Sequence, residues 1–137
     1  MISKPDHWHR PCLAIACAFL FALADHALAD PLSETWSAYD TGDYKKAARL
    51  LRPLAKQGNA MAQFDLGFMY ANGQGVPQDY VLAYMWADVA AADATDSDYR
   101  KQYTGLRDSL AKKMTAGQIA KARKLESKCV SNKFKGC

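Results

Sequence analysis

Three short patterns in this sequence combine residue types that can do chemistry. Ser109 and Lys112 form an S-x-x-K pair. On a helix this pair places a hydroxyl and an amine on one face, as a lysine-activated serine nucleophile requires. Enzymes of the penicillin-recognising type use such a pair together with S-D-N and K-T-G elements, and neither element occurs in the chain. We therefore favour an exposed helix face in a lysine-rich stretch, and an enzyme of this type remains the less favoured alternative.

The other two patterns concern ion and phosphate binding. Asp93, Asp96 and Asp98 offer carboxylates for calcium, but their spacing does not follow an EF-hand loop. We interpret them as residues that start a helix, where acidic side chains are favoured. Gly73-x-Gly75 follows no strand and precedes no Gly-Lys-Ser/Thr, so we expect a turn with positive φ instead of a phosphate loop. We predict no metal site and no cofactor.

The positions of histidine and cysteine exclude further classes of enzyme. All three histidines lie within residues 1–29, and so do Cys12 and Cys17. Residues 30–137 therefore cannot form a Ser-His-Asp triad, a Cys-His pair or the usual histidine-ligated zinc site. Cys129 and Cys137 are too few for a four-thiolate zinc site. We predict that the chain is not an enzyme.

Residues 1–29 have the pattern of a secretory signal peptide. Lys4 and Arg10 precede an uncharged apolar run over 11–24, and Ala27-Leu28-Ala29 is a small-x-small cleavage pattern. The apolar run is shorter than the roughly 20 residues of a spanning helix, so we predict no stable membrane span. A buried amphipathic helix and a lipoprotein signal modified at Cys17 are the alternatives. We expect cleavage after Ala29 and a periplasmic or secreted protein.

Export would place the remaining cysteines in an oxidising compartment. Cys129 and Cys137 enclose a short segment that contains Gly136, so ring closure is feasible. A disulfide between them is the prediction, and a pair of free thiols is the alternative.

Hydrophobic periodicity predicts an all-α fold for the rest of the chain. Helices are predicted from Asp43 to Gly58, over 59–72 and over 78–92. Asp96 opens another helix that ends near residue 114, and Thr115 opens the last one through a capping box with Gln118. The predicted stripe of the 78–92 helix, with Trp86 at its flank, is Tyr80, Ala83, Tyr84, Ala87 and Ala91.

The chain also repeats itself. Asp43-Tyr44-x-x-Ala47 recurs as Asp79-Tyr80-x-x-Ala83, and a helical period of about 35 residues is typical of an α-solenoid. The segment from Ala60 to Tyr80 resembles a Sel-1-like repeat, a relative of the tetratricopeptide repeat. The residues that carry the resemblance are Ala62, Leu66, Gly67, Tyr70, Gly73, Gly75, Val76, Pro77, Asp79, Ala83, Trp86 and Ala90.

This resemblance implies the domain organisation and the function. It implies a short α-solenoid over 30–137, with a degenerate unit over 31–58, a full unit over 59–92 and C-terminal capping helices over 96–137. It also implies an exported, non-catalytic scaffold that binds an unknown protein partner through its curved surface. Aromatic side chains at helical spacing are more often core than interface, but four are candidate partner contacts: Trp36, Tyr39, Trp86 and Tyr103.

Charge is unevenly distributed along the chain. Residues 30–99 carry a net charge of −5 and residues 100–137 a net charge of +9. Such an uneven charge distribution creates an electric field that can steer binding. The alternative function is therefore a binding module for an anionic component of the cell envelope. A solvated cap that pairs with the acidic half is the simpler interpretation, and a nucleic-acid partner is not expected. The candidate contacts for this alternative are Lys121, Arg123, Lys124 and Lys128.

Overall fold

The computed structural model describes residues 30–137. Within these residues the secondary structure consists of helices, without any strand. The predicted signal peptide over 1–29 lies outside the described residues and stays a prediction. The all-α solenoid fold expected from the sequence is confirmed. The helices are α1 Pro31–Asp40, α2 Tyr44–Lys56, α3 Ala60–Asn72, α4 Tyr80–Asp93, α5 Ser97–Ala111 and α6 Ala116–Ser131.

Each helix begins where a short polar side chain accepts hydrogen bonds from the first turn. Asp43 accepts from the backbone N–H of Lys46, which confirms the predicted cap of α2. Asp96 caps α5, also as predicted. Thr115 and Gln118 form the expected capping box at α6, with side-chain to backbone distances of 3.2 Å and 2.8 Å. These caps explain why the sequence located the helix starts well.

Helix α4 lies at the centre and packs against α3, α5 and α6. Because it has neighbours on three sides, buried side chains surround it, including Met85, Trp86 and Val89. The predicted stripe is buried at Ala83, Tyr84, Ala87 and Ala91, but burial extends beyond it to other faces of the helix. Tyr80, which belonged to that stripe, is only half-buried.

Two glycines allow close approach between elements. A Cβ on Gly67 of α3 would lie 3.1 Å from the carbonyl oxygen of Ala83 on α4, so glycine lets these two helices touch. Gly73 and Gly75 have φ values of +67° and +68°, which confirms the predicted turn. A Cβ on Gly75 would also overlap the carbonyl of Tyr44, so the turn packs directly against the start of α2.

The C-terminal end of the chain is tied back to α6. Cys129 and Cys137 form the predicted disulfide. Between them, Phe134 stacks on Trp86 of α4 with ring centroids 6.2 Å apart. The last residues thus cover a side of α4 that α6 alone would leave open.

Within residues 30–137, none of the helices combines the length and the apolar character that crossing a membrane would require.

Candidate functional site

Helices α1, α3 and α5, the first helix of each successive pair, line a groove of about 260 Å³. Its walls are mainly aromatic, and they contain one carboxylate and no lysine or arginine. Leu51 of α2 also reaches the groove. The lining residues are Thr35, Trp36, Tyr39, Leu51, Phe64, Asp65, Phe68 and Gln102.

Helix α1 contributes one fixed aromatic ring and one more open ring. Tyr39 is half-buried, its hydroxyl donates to Oε1 of Gln74 at 3.1 Å, and its ring meets that of Tyr44 edge-on at 5.0 Å. Trp36 is 46% exposed. Both were predicted as partner contacts, and both line the groove. Trp36 therefore offers a large apolar surface to a partner, whereas the ring of Tyr39 is held in place by its contacts with Gln74 and Tyr44.

Helix α3 contributes three residues from one face. Phe64 and Phe68 are one helical turn apart, and Asp65 follows Phe64 in the lining of the groove. Phe68 is 40% exposed, whereas Phe64 stacks on Tyr103 of α5 with ring centroids 4.6 Å apart. Tyr103 itself is only 3% exposed. Its prediction as a partner contact is corrected, because Tyr103 lies in the core beneath Phe64. The same correction applies to Trp86, which is 3% exposed and stacks on Phe134.

Asp65 is a half-buried carboxylate without a counterion in the described part of the chain. No lysine or arginine of residues 30–137 lies within salt-bridge distance of it, and no donor there hydrogen-bonds to it. Burial raises the pKa of Asp65 from 3.8 to about 6. The pKa of Tyr103 is also raised, first by burial and then by the negative charges of Asp65 and Tyr99. Asp65 is still mostly ionised at neutral pH, so the groove carries a negative charge.

A second acidic site lies between α4, α5 and α6. Nη1 of Arg107 pairs with Asp88 at 3.0 Å, and Nη2 pairs with Asp108 at 2.8 Å. Glu126 of α6 is close to Asp88, and its pKa is raised by burial and then by the charge and hydrogen bonding of Asp88. The positive charges of Arg123 and Arg107 partly oppose this rise. This site is a network that joins α4, α5 and α6.

Comparison with protein families identifies the repeat from which the helices are built. The model of the Sel1 repeat matches residues 38–59 and 60–93. The chain is a Sel1-repeat protein. The second match covers α3, the glycine-rich turn and α4, and the first covers the end of α1 together with α2. Searches among curated proteins and among solved structures gave no match. Sel1 repeats are typically non-enzymatic scaffolds for protein–protein interaction.

The residues that define the Sel1 repeat serve packing and turn geometry. Most of its small and apolar positions are buried, whereas Tyr70 is half-buried and Pro77 is exposed. Asp79 caps α4 by accepting from the backbone N–H groups of Val81 and Leu82. The buried positions are Ala62, Leu66, Gly67, Val76, Ala83, Trp86 and Ala90.

The basic residues predicted as contacts lie on α6, outside the lining of the groove. All four are exposed. Lys121, Lys124 and Lys128 fall on one face because they are three and four residues apart. Arg123 falls on a different face, close enough to Glu126 to lower its pKa. The structure therefore gathers three of the four residues into one basic stripe.

The remaining chemical patterns of the sequence are not brought into the groove of this Sel1-repeat protein. Ser109 and Lys112 are both exposed, and no hydrogen bond joins them in the described chain. Asp93 accepts a hydrogen bond from Gln63, and Asp98 pairs with Lys101 at 3.6 Å. No cluster that could hold a metal ion was found among residues 30–137. The interpretation of the aspartates as the start of a helix holds for Asp96, which caps α5, and for Asp98 in the first turn, but it is wrong for Asp93, which is the last residue of α4.

Sequence reasoning missed the α3 wall of the groove. It named Ala62, Leu66, Gly67 and Tyr70 of this helix as repeat positions and gave no role to the groove residues. The available signal was a second pair of bulky apolar residues, Phe64 and Phe68, which are spaced by one helical turn and are not among those repeat positions. A helix with apolar residues on two faces has two surfaces to cover.

Proposed function

We propose that this chain is a non-catalytic scaffold that binds a partner protein in the groove of α1, α3 and α5. The observation that carries the proposal is the convergence of aromatic side chains from separate helices on one groove, where Trp36 and Phe68 are both exposed to solvent. The interaction role typical of Sel1 repeats supports it.

The composition of the groove suits protein recognition. Tryptophan and other bulky aromatic residues provide much of the binding energy at interfaces when they sit in a concave, well-packed setting. Here Phe64 and Tyr39 are held by contacts with Tyr103 and Gln74, so part of the surface is ordered before a partner arrives. Pre-ordered side chains reduce the entropy lost on binding.

Comparative affinity capture tests this function. The protein and its Trp36→Ala and Phe68→Ala variants would be used as baits in extracts of the source cells, with quantitative mass spectrometry of the retained proteins. Val130→Ala is the matched control, because Val130 is an equally exposed apolar residue on α6. We expect at least one protein to be retained by the parent and by Val130→Ala and lost from both groove variants. Retention that does not depend on Trp36 and Phe68 would contradict the proposal.

We also infer that the protein is exported to the periplasm or the cell exterior. The signal-peptide pattern over 1–29 supports this inference, and so does the Cys129–Cys137 disulfide, a bond typical of oxidising compartments. Cell fractionation followed by sequencing of the N-terminus tests it. We expect the protein in the exported fraction with Asp30 as its first residue, and a cytoplasmic protein that retains Met1 would contradict it.

The basic stripe of α6 supports a second candidate function, binding to an anionic surface of the envelope. Lys121, Lys124 and Lys128 project from one exposed face of a region with a net charge of +9. Vesicles of anionic phospholipid, compared with vesicles of neutral phospholipid, test this function at low and high salt. We expect the Lys124→Gln/Lys128→Gln variant to lose salt-sensitive binding. The Lys45→Gln/Arg49→Gln variant, with the same loss of charge in the acidic half, should keep it.

A further inference from the structure

We propose that the groove recognises a basic side chain of the partner protein, an arginine or a lysine. In this arrangement the cationic group pairs with Asp65, and the aliphatic part of the side chain lies against Phe68 and Trp36. The inference rests on the proposed function, since it assigns the chemistry of the partner for the same groove.

The unpaired state of Asp65 is the first support. Two other half-buried charges of the described chain do have partners: Arg107 has Asp88 and Asp108, and Lys46 has Glu34 at 3.0 Å. Asp65 has no partner of this kind within residues 30–137. A charge that is partly removed from water without a counterion costs stability. A cation supplied by the bound partner would restore the missing interaction.

The surroundings of Asp65 strengthen such a pair. Its neighbours in the groove are mainly aromatic and apolar, which lowers the local dielectric constant and increases the attraction between opposite charges. Part of the desolvation cost of Asp65 is already present in the free protein, so a partner does not have to supply it on binding. The negative charge of Asp65 repels an acidic side chain.

The aromatic walls suit the remainder of a basic side chain. Trp36 and Phe68 are open enough to receive an alkyl stem, and long basic side chains commonly lay their stems along apolar surface. Cations are also attracted to aromatic faces, arginine more often than lysine. We therefore expect arginine to be preferred.

The size of the groove favours a side chain over a free small molecule. Its volume of about 260 Å³ is below the roughly 300–1,000 Å³ of pockets that enclose whole small ligands. The net charge of −5 over residues 30–99 also favours a basic occupant. A basic segment of a partner would be steered towards this half of the molecule.

A series of synthetic peptides tests the inference on the protein as its cells produce it. The peptides are identical except for one central residue between two leucines, which is arginine, lysine, norleucine or glutamate. Affinities are measured by calorimetry for the parent, for Asp65→Asn and for Asp40→Asn. Asp40→Asn is the matched control, because it removes the same charge from an exposed position of α1. Circular dichroism checks that each variant is folded.

We expect the arginine and lysine peptides to bind the parent and Asp40→Asn roughly tenfold or more tightly than the norleucine peptide. Asp65→Asn should lose this preference and keep the weak binding of the norleucine peptide. Equal binding of the arginine, lysine and norleucine peptides to the parent would overturn the inference and leave the groove as a protein-binding site. Failure of every peptide to bind, together with capture of partners that does not depend on Phe68, would overturn the proposed function as well. Self-association of the parent that Phe68→Ala abolishes would also overturn the inference, because the occupant would be a second copy of the chain.

Discussion

Asp65 on α3 and Asp88 on α4 are both partly removed from water, but only Asp88 has a cationic partner among the described residues. Asp88 pairs with Arg107 of α5 and lies close to Glu126 of α6, so its charge joins three helices. Asp65 instead faces the aromatic groove, and its raised pKa is caused by burial alone. The first site contributes to the structure, whereas the second is costly to the free protein and available to a partner.

The same contrast extends to the regions around the two sites. Around α4, the Arg107 network joins α5 and α6, and Phe134, in the segment closed by the disulfide, stacks on Trp86; these contacts form a closed region. In the groove, by contrast, Trp36 and Phe68 remain 46% and 40% exposed. We therefore expect substitutions in the closed region to change stability and substitutions in the groove to change binding.

Among substitutions in the closed region, removal of the disulfide should cause the largest loss of stability. Replacement of both Cys129 and Cys137 by alanine frees the segment that holds Phe134 on Trp86. A short disulfide loop contributes about 2–3 kcal/mol to the free energy of unfolding. Urea unfolding of the variant and of the parent should show a loss of this size, while affinity for a groove partner should stay unchanged. A loss of binding at full stability would contradict the division into two regions.

Arg107→Met should cause the next largest loss of stability. The substitution keeps most of the aliphatic stem but leaves Asp88 close to Glu126 without the cation between α4 and α5. Arg107 and Asp88 are 29% and 20% exposed, so the loss should be smaller than for a fully buried pair, about 2 kcal/mol in urea unfolding. Lys101→Met is the control, since Lys101 belongs to an exposed pair with Asp98. Equal losses for the two variants would contradict a structural role of the network.

Asp65→Asn should change the stability by a smaller amount and in the opposite direction. The raised pKa means that the folded protein holds the Asp65 proton more tightly than the unfolded chain. Stability supplied by this proton is therefore lost as the pH rises from about 4 to about 6. Asp65→Asn should be more stable than the parent at neutral pH by about 1–2 kcal/mol, and the difference should shrink towards pH 4.

Chemical unfolding of both proteins across this pH range measures the effect. Glu126 and other acidic groups titrate in both proteins, so the difference between the two curves isolates Asp65. Destabilisation by Asp65→Asn at neutral pH would show that the carboxylate already makes a favourable contact in the free protein.

Phe68→Ala should have the smallest effect on stability. Phe68 is 40% exposed, so its removal should cost only about 1 kcal/mol of unfolding free energy. Leu66→Ala on the same helix is the matched comparison, because Leu66 is almost fully buried and its loss should cost about 2–4 kcal/mol. Thermal unfolding measures both variants. Similar losses would mean that Phe68 is a packing residue and not a surface for partners.

The sequence by itself determined the local features of this protein. A cap is a hydrogen bond between a side chain and a backbone N–H two or three residues away. Asp43, Asp96 and Thr115 could therefore be assigned without any tertiary contact. Positive φ at Gly73 and Gly75 is equally local. The helical repeat and the pairing of Cys129 with Cys137 were likewise visible, because they depend on residue type and spacing.

Only the tertiary structure decided which faces are covered. Tyr103 is buried because Phe64 of α3 stacks on it, and α4 is buried on several sides because α5 and α6 both pack against it. Burial depends on neighbours that are distant in sequence, whereas periodicity identifies only the faces that are apolar. Asp65 illustrates this difference. In the sequence it is one aspartate on a helix, and the packing of α1, α3 and α5 makes it the single carboxylate of an aromatic groove.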